Sequence, residues 1–408
     1  MSVEDIDAFV DIAVNAYPGW RVATEEERDR VRERLIERHE SPATTFYGLF
    51  RDGRLLGGMC LHTFTMNFLG TWVEAGGVGN VAVDLVHKKE HVAKEMLLYF
   101  LRHWRERGVP VTMLYPFRPD FYRNMGFGYG TKLSQYRVRP AGLPRGPSKA
   151  HVRHLNEGDE RAVLDCYNRF ADRVHGMIRR SEREVAHLMR NPQMSLVGHE
   201  AEGRILGYLA FSFELSDAFL VNDLHVRELV YESREALSEL LTFLHAQADQ
   251  VRRVIFDTQD EAFHHLLEDP RNGAGWVRPH VCHTSNVQGV GIMYRVSDVA
   301  RAFTLLEGRD FGGQTCALEL TVEDSFLPEN AGTTHLRFED GCARLADGGA
   351  CDVAVRLDVA DFSSLLVGAV DFRSLYRYGL ADVSDPEYVD VVDRLFAVRD
   401  RPVCMTSF

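Results

Sequence analysis

The stretch that most constrains this sequence is residues 78–98, where an apolar run turns into a helical pattern through a lysine-rich turn. Val81 and Val83 are β-branched and predict a short buried strand. In the helix that follows, Val92 and Met96 recur on one face. Free N–H groups and the dipole at a helix N-terminus attract anions. The stretch therefore indicates a phosphate site in outline, although an ordinary strand, loop and helix with solvated lysines would show the same residues.

The residues after this helix make the interpretation as a phosphate site more specific. The helix is predicted to continue to Gly108, and a second strand to run from Val109 to Tyr115. The segment 120–130 then has the sequence Asp-Phe-Tyr-Arg-Asn-Met-Gly-Phe-Gly-Tyr-Gly. This combination resembles the GNAT acetyltransferases, whose acetyl-CoA site joins a strand, an Arg/Gln-x-x-Gly-x-Gly/Ala turn, a helix and a later Phe-Tyr-x-x-x-Gly-Phe segment. The resemblance covers the first third of the chain and implies the acetyltransferase fold there.

The turn of this chain departs from the family pattern at one position. Lys88 stands at the usual Arg/Gln position and Ala93 at the last small residue, but His91 replaces the usual glycine. A side chain at that position would crowd the CoA pyrophosphate. The motif therefore supports the fold more strongly than it supports tight CoA binding.

Composition excludes several classes of protein. The 408 residues suffice for two or three domains, and 45% hydrophobic with 26% charged residues is typical of a soluble globular chain. No apolar run approaches the roughly 18 residues of a membrane span, and the acidic N-terminus lacks a signal-peptide pattern, so we expect a cytoplasmic protein. The seven scattered cysteines form no Cys-x-x-Cys pair, which predicts neither a metal site nor a disulfide framework. The formal net charge of −13 argues against nucleic acid and would favour cationic substrates, although such a charge also serves solubility alone.

The order of predicted elements in the first part of the chain fits the acetyltransferase fold. Helices are predicted over residues 3–17 and 25–39, and a hairpin over Phe46–Phe50 and Leu55–Thr65. Three prolines and two glycines between Pro140 and Pro147 indicate a linker. We therefore expect the first GNAT domain to cover residues 1–139.

A second, degenerate copy of the same fold is predicted over residues 148–288. The sequence Glu-Gly-Arg-Ile-Leu-Gly at 202–207 repeats Asp-Gly-Arg-Leu-Leu-Gly at 52–57, and weaker matches follow at a shift of 144. At that shift Glu232 and Glu235 stand where Lys88 and His91 stand in the first copy. Two carboxylates would repel a pyrophosphate, so no CoA is expected in the second copy.

Residues 289–408 are predicted to form an α+β domain. Helices are expected at Val296–Leu305, Val359–Val367, Phe372–Tyr378 and Tyr388–Phe396, beside strands near residues 315–322, 335–339 and 343–345. The segments Val355–Val359, Leu365–Gly368 and Leu395-Phe396 resemble the sterol-carrier-protein-like domain of the Eis family of N-acetyltransferases. Tandem GNAT folds, a sterol-carrier-like domain and the ending Thr406-Ser407-Phe408 together give the whole chain an Eis-like layout.

The Eis resemblance implies which residues would act. The CoA pyrophosphate would bind the turn, the backbone of Val81–Val83 would pair with the pantetheine arm and offer N–H groups to the acetyl oxygen, and Phe117 and Arg118 would also touch CoA. The residues expected to bind acetyl-CoA are Val81, Ala82, Val83, Lys88, Lys89, Glu90, His91, Val92, Ala93, Lys94, Phe117 and Arg118.

The resemblance also implies an acid and a base for the reaction. Tyr122 matches the family's general acid, and a phenol with an unperturbed pKa near 10 starts protonated. The α-carboxylate of Phe408 matches the family's general base. A core tyrosine and a frayed chain end are the plainer interpretations of these two residues.

The acceptor that the resemblance implies is an amine of a cationic small molecule, similar to an aminoglycoside or a polyamine, and the enzyme would use acetyl-CoA without a metal. Two alternatives share the same residues: acetylation of lysines in proteins or peptides, and a lipid-carrier or scaffold protein with an inactive transferase unit. Eis-type proteins form hexamers, so the resemblance also implies a homo-oligomer.

Overall fold

The computed structural model describes residues 1–215, 222–272, 277–278 and 281–408. It divides into two compact units. The first unit contains Met1–Gly130, Ile292–Arg399 and Ser407–Phe408, and the second contains Thr131–Gly291 and Asp400–Thr406. Of the domain predicted at 148–288, residues 216–221, 273–276 and 279–280 lie outside the described residues. Within the described ranges, no helix has the length and hydropathy that a membrane crossing requires.

Residues 1–130 form four helices and five strands. The helices are α1 (Val3–Ala16), α2 (Glu25–His39), α3 (Val92–Glu106) and α4 (Pro119–Arg123). The strands are β1 (Thr44–Arg51), β2 (Arg54–Phe68), β3 (Thr71–Val83), β4 (Val111–Leu114) and β5 (Gly128–Tyr129). These elements confirm the predicted order of helix, helix, hairpin, strand, helix and strand.

Residues 131–291 form nine strands and three helices among the described residues. The strands are β6 (Leu133–Val138), β7 (Val152–His154), β8 (Ser195–Ala201), β9 (Arg204–Leu215), β10 (Asn222–Tyr231), β11 (Val251–Thr258), β12 (Val277–Arg278), β13 (Cys282–His283) and β14 (Asn286–Gly289). The helices are α5 (Glu160–Ala171), α6 (Glu182–Arg190) and α7 (Arg234–His245).

Residues 292–399, together with Ser407 and Phe408, complete the first unit. The strands are β15 (Met293–Val296), β16 (Cys316–Glu323), β17 (Gly332–Glu339), β18 (Cys342–Ala346), β19 (Val353–Asp358) and β20 (Ala381–Val383). The helices are α8 (Val299–Leu305), α9 (Val359–Leu366), α10 (Phe372–Arg377) and α11 (Val389–Leu395). The predicted start of a helix at Val296 is wrong, because this residue ends β15 and Asp298 caps α8 by accepting a hydrogen bond from the Arg301 N–H.

The first unit contains two sheets. One has the strand order β1-β2-β3-β4-β15-β5, and the other has the order β18-β17-β16-β19-β20. Strand β15, which lies far along the chain, is therefore inserted beside β4 and β5. The second unit has a seven-stranded sheet in the order β14-β6-β11-β10-β9-β8-β7. Strand β6, which the predicted boundary at 139 assigns to the first domain, pairs in this second sheet. The three domain boundaries stay predictions.

Turns and registers bear out the predicted internal repeat. Asp52 and Gly53 have φ of 52° and 77°, and Glu202 and Gly203 have φ of 53° and 72°. Each pair makes a tight hairpin turn with two left-handed residues, the geometry that Asp-Gly pairs favour. A register shift follows at the same place in both hairpins, between Leu49/Phe50 and between His199/Glu200. The two copies therefore share local geometry as well as sequence.

Candidate active site

A gap between two neighbouring strands of the first sheet creates the candidate site. β3 pairs in parallel with β4 only at Gly76 and Gly77, and its remaining residues up to Val83 have no partner on that side among the described residues. On its other side, the register between β2 and β3 shifts near Asn80, which adopts a left-handed φ of 50°. Bulges of this kind bend a strand and are common beside active sites. The free edge of β3 can therefore pair with an extended ligand.

A cavity of about 450 Å³ opens along this free edge. That volume is within the range of small-molecule and cofactor sites. Its walls come from the end of α1, from β3, from the turn and first residues of α3, and from the segment that leads into α4. The lining residues are Ala16, Tyr17, Val81, Val83, His87, Lys88, Lys89, His91, Val92, Ala93, Lys94, Phe117, Arg118, Phe121 and Tyr122.

One end of the cavity is suited to an anion. His91 is the N-cap of α3 but makes no side-chain capping bond, so the first N–H groups of the helix are left for a ligand. Lys88, Lys89 and Lys94 line the cavity here, and none of them forms an ion pair with a described residue. Uncapped N–H groups beside unpaired ammonium groups are the chemistry that binds a pyrophosphate.

The backbone conformation of the turn explains why the family has a glycine at the position of His91. His91 has φ of 64° and Lys89 has φ of 69°, both in the left-handed region. An L-residue in that region costs roughly 1–2 kcal/mol relative to its usual conformation, a cost that glycine does not have. His91 therefore keeps the backbone shape of the motif at the expense of strain, and its exposed side chain lines the cavity.

Tyr122 lies on α4 and is only 7% exposed, with its side chain lining the cavity. It packs edge-on against Phe121 and Phe127. Burial raises the pKa of its phenol to about 12, so the hydroxyl stays protonated at neutral pH. Gly126 ends this segment with φ of 81°, and a Cβ there would lie 2.5 Å from the Arg295 guanidinium. Only glycine fits this close approach, which fixes the turn that follows Tyr122.

Tyr17 is a site residue that the sequence analysis missed. It follows the last residue of α1, lines the cavity, and donates a hydrogen bond from its hydroxyl to the Val81 carbonyl at 2.8 Å. Burial, and secondarily the proximity of Tyr122, raises its pKa above the usual range. This contact spans 64 residues of sequence. Its sequence signal was limited to an aromatic residue at the end of the predicted helix 3–17, directly before Pro18-Gly19.

Phe408 also packs against β3, close to the bulge at Asn80. A Cβ added to Gly79 would lie 3.0 Å from the main-chain carbon of Phe408 and 3.3 Å from its oxygen. The Phe408 ring contacts Phe64 and Tyr115, with centroids 4.9 Å and 5.2 Å away. Phe408 does not line the cavity itself, but Gly79 is two residues before Val81, about 7 Å along the strand.

Two predicted cofactor residues do not line the cavity. Ala82 is buried, and its carbonyl lies against Gly57 of the neighbouring strand, because alternate residues of a strand face opposite ways. Glu90 is bound on the surface instead, with its carboxylate 3.0 Å from His87 Nδ1 and 3.6 Å from Arg51. The other predicted cofactor residues all contribute to the cavity walls.

The corresponding region of the second copy is filled by protein. Strand registers place Tyr208 and Glu228 where the first copy has Gly58 and Gly79. Glu228 accepts hydrogen bonds from Arg180 at 2.7 Å and from the Tyr208 hydroxyl at 2.6 Å, and both ionic side chains are over 90% buried. Large, paired side chains in the second copy thus replace small residues of the first copy.

The second copy also differs at the turn after β10. The structural reason is not simply the expected repulsion of a pyrophosphate by two carboxylates. Glu232 is 7% exposed and is paired with Arg169 at 2.6 Å, so it is not a bare repelling carboxylate. The Glu232 N–H donates to the Leu206 carbonyl as the Asp84 N–H donates to the Leu56 carbonyl, and α7 begins only two residues later at Arg234, so the second copy has no counterpart of the turn Lys88–His91. The prediction that CoA does not bind here therefore depends on filled space as well as on charge.

Among the described residues, one cluster of three side chains has its ligand atoms close enough together to hold a metal ion. Ligand atoms of His151, His199 and Glu239 all lie within 4.8 Å of one another, in the second unit. His151 already contacts the Glu239 carboxylate through its backbone N–H and its Nδ1. The three residues are spread over 89 positions, so their sequence spacing gave no signal of a metal site.

Comparison with known proteins agrees with this geometry. Residues 1–130 and residues 176–296 each match an Acetyltransferase (GNAT) domain family, and residues 302–405 match the Sterol carrier protein domain family. Relatives described as uncharacterized N-acetyltransferases occur in Streptomyces avermitilis and Streptomyces griseus. The first is 26% identical over 401 residues, covering 90% of this chain and 89% of the relative, and the second is 25% identical over 400 residues, covering 88% and 89%.

Solved structures share the fold along the whole chain. A GCN5-related N-acetyltransferase from Anabaena variabilis has a TM-score of 0.82 at 19% identity, and Eis1 from Mycobacterium abscessus has a TM-score of 0.75 at 20% identity. Each comparison covers 100% of this chain and 98% of the other. Two GNAT domains followed by a sterol carrier protein domain are thus found by sequence and by fold. The chain is therefore an acyltransferase with two GNAT acetyltransferase domains and a sterol carrier protein domain, and its fold is similar to that of Eis1.

Proposed function

We propose that this enzyme transfers the acetyl group of acetyl-CoA to a primary amine of a cationic small molecule, similar to an aminoglycoside or a polyamine. The observation that carries the proposal is the free edge of β3, which leads from the uncapped, lysine-rich start of α3 to Gly79 and Phe408. A formal net charge of −13 favours cationic acceptors through long-range attraction.

The proposed role of the cavity is to hold acetyl-CoA. The pyrophosphate would bind the N–H groups at the start of α3 together with Lys88, Lys89 and Lys94, and the pantetheine arm would pair with Val81 and Val83. A strand-like arm beside a free strand edge satisfies backbone groups on both partners. The cofactor then supplies an activated acetyl group at the bulge end of β3.

The proposed chemistry is direct transfer with one acid and one base. The α-carboxylate of Phe408 takes a proton from the acceptor ammonium, and the freed nitrogen attacks the thioester carbonyl. The N–C bond forms, the C–S bond breaks, and Tyr122 donates its proton to the departing thiolate. The proton that leaves the new amide nitrogen restores the phenol, and the carboxyl group releases its proton to solvent. Proton transfer of this kind contributes roughly 10²–10⁴-fold in rate.

An acceptor panel tests the proposal. Purified protein would be incubated with acetyl-CoA and with spermine, an aminoglycoside or a lysine-containing peptide, while CoA thiol release and the acetylated product are measured. We expect amine-dependent CoA release with the two small cations and little with the peptide. Preferred acetylation of the peptide would favour a protein-directed enzyme, and no transfer to any amine would favour the carrier or scaffold alternative.

We also propose that the protein is a cytoplasmic homo-oligomer. The Eis-like layout, with two GNAT domains and a sterol carrier protein domain, supports the hexamer that the resemblance implies. Light scattering of the purified protein should give six times the chain mass of 46.3 kDa, and a monomer mass would contradict the proposal.

A further inference from the structure

His62 is a buried polar residue in the apolar centre of the first sheet. It lies on β2, opposite Gly77 of β3, and is only 6% exposed. Its Nε2 atom is buried and has no hydrogen-bond partner among the described residues. Since buried polar atoms are nearly always paired, an unpaired one is a candidate contact for a ligand.

The unpaired nitrogen and the end of Phe408 face the same point. A Cβ on Gly79 would lie 3.2 Å from His62 Nε2 and 3.0 Å from the Phe408 main-chain carbon. The absence of a side chain at Gly79 therefore leaves a small space between the imidazole and the Phe408 carboxylate. Any other residue at this position would fill that space.

Aromatic rings contact both His62 and Phe408. His62 stacks on Phe64 with centroids 5.5 Å apart, and its ring lies 5.4 Å from the Phe408 ring. Tyr115 approaches Phe408 from another direction, at 5.2 Å. The faces of such rings attract a cation by roughly 0.5–2 kcal/mol, more when water is excluded.

The protonation state of His62 suits it to accept a hydrogen bond. Burial, and secondarily the positive charge of Arg38 on α2, lowers its pKa to about 3. At neutral pH the imidazole is therefore uncharged, with one ring nitrogen as donor and the other as acceptor. A primary ammonium group has three N–H donors, so it can contact a carboxylate and still donate a hydrogen bond to an imidazole nitrogen.

We propose that His62 and the Phe408 carboxylate together form the binding site for the acceptor's primary ammonium group, with His62 Nε2 accepting one of its N–H bonds. This inference rests on the proposed function, since the amine is the one to be acetylated. One N–H faces the carboxylate, which takes that proton, and a second is held by His62. Deprotonation leaves a lone pair and two N–H bonds on the nitrogen, and the N–H bond to His62 keeps the nitrogen in place for attack. The site selects amines with N–H donors over quaternary ammonium groups of equal charge.

Two substitutions of His62 test the site. His62→Phe keeps an aromatic ring against Phe64 and removes the acceptor, whereas His62→Gln keeps an acceptor near the position of Nε2. Each variant and the wild type would be saturated with CoA and titrated with spermine and with fully N-methylated spermine, which has no N–H donor. Thermal unfolding of each variant would show that it is folded.

We expect His62→Phe to weaken spermine binding roughly 10- to 100-fold, the range for a hydrogen bond to a charged group, and to leave binding of the methylated analogue unchanged. His62→Gln should restore most of the spermine affinity. Equal weakening of both ligands, or no change in spermine affinity, would overturn the proposal.

The same variants separate this inference from the proposed function. If the wild type acetylates spermine and His62→Phe does so with unchanged kcat/KM, the His62 site is wrong and the enzyme assignment stands. If the wild type binds spermine in the expected His62-dependent way but transfers no acetyl group, the ammonium site stands and the proposed reaction fails.

Discussion

At the scale of single residues, the proposed chemistry depends on the hydroxyl of Tyr122 and the carboxylate of Phe408. The two groups have opposite tasks, since one must hold a proton at neutral pH and the other must lack one. Burial keeps the Tyr122 phenol protonated by raising its pKa to about 12. A terminal carboxylate has an unperturbed pKa of about 3.5 and is ionised at neutral pH.

Replacing Tyr122 with phenylalanine tests the acid. The substitution removes one hydroxyl and little volume, so the packing against Phe121 and Phe127 should survive. We expect kcat to fall roughly 10²–10⁴-fold with unchanged acetyl-CoA affinity. Tyr129→Phe is the matched control, because Tyr129 is exposed and should be dispensable. Full turnover in folded Tyr122→Phe protein would remove the residue from the mechanism.

Replacing His91 with glycine tests the strain in the turn. Glycine adopts φ of 64° without steric cost, so His91→Gly should raise the free energy of unfolding by up to about 1 kcal/mol. It should also tighten acetyl-CoA binding, since the ring lines the cavity. His91→Ala is the control, because it removes the ring and keeps the backbone strain. If chemical denaturation finds the glycine variant less stable than the alanine variant, the strain argument is wrong.

Sequence could predict some of these residues and not others, for a physical reason. Tyr122 and the lysines of the turn belong to local motifs whose spacing follows from a helix start and a tight turn. Tyr17 and His62 reach the site by contacts across the sheet, which one sequence does not specify. His62 gave one sequence signal, since it is the only histidine within the predicted strand Leu55–Thr65.

At the scale of elements, the divergence of β3 from β4 creates the cavity, and α3 supplies its charged end. Most of these elements are predictable because hydrophobic periodicity and turn residues are local. The pairing of β15 with β4 and β5 was not predicted. The four-residue segment Met293–Val296 is too short for its periodicity to distinguish a strand from the start of a helix, and its partners lie more than 160 residues away.

Reversing one charge at the start of α3 tests the anion site. Lys89→Glu should weaken acetyl-CoA binding by about 1–3 kcal/mol, because it removes a charge-assisted contact and adds repulsion. Lys149→Glu makes the same change of charge on the exposed surface of the second unit and should leave binding unchanged. The dissociation constants can be measured by calorimetry. Equal effects of the two substitutions would show that only net charge matters.

At the scale of the whole molecule, two copies of one fold have diverged in what their strands enclose. The first copy keeps small residues at Gly58 and Gly79, and the second fills the corresponding region with the Arg180–Glu228–Tyr208 network. We therefore expect one acetyl-CoA per chain by calorimetric titration, abolished by changes in the first unit only. A stoichiometry of two would contradict this account of the second copy.

The central claim is that acetyl transfer uses the α-carboxylate of Phe408. The most direct measurement is the kcat of a protein extended by Gly-Ser after Phe408, which converts that carboxylate into a neutral amide. Phe408→Leu is the control, because it keeps the carboxylate and much of the apolar contact with Phe64 and Tyr115.

We predict that the extended protein loses roughly 10²-fold or more in kcat while its acetyl-CoA affinity stays within about twofold of wild type, since the cavity is untouched. The leucine variant should retain most of its turnover. Normal turnover in the extended protein would contradict the claim and assign the base to another group or to water.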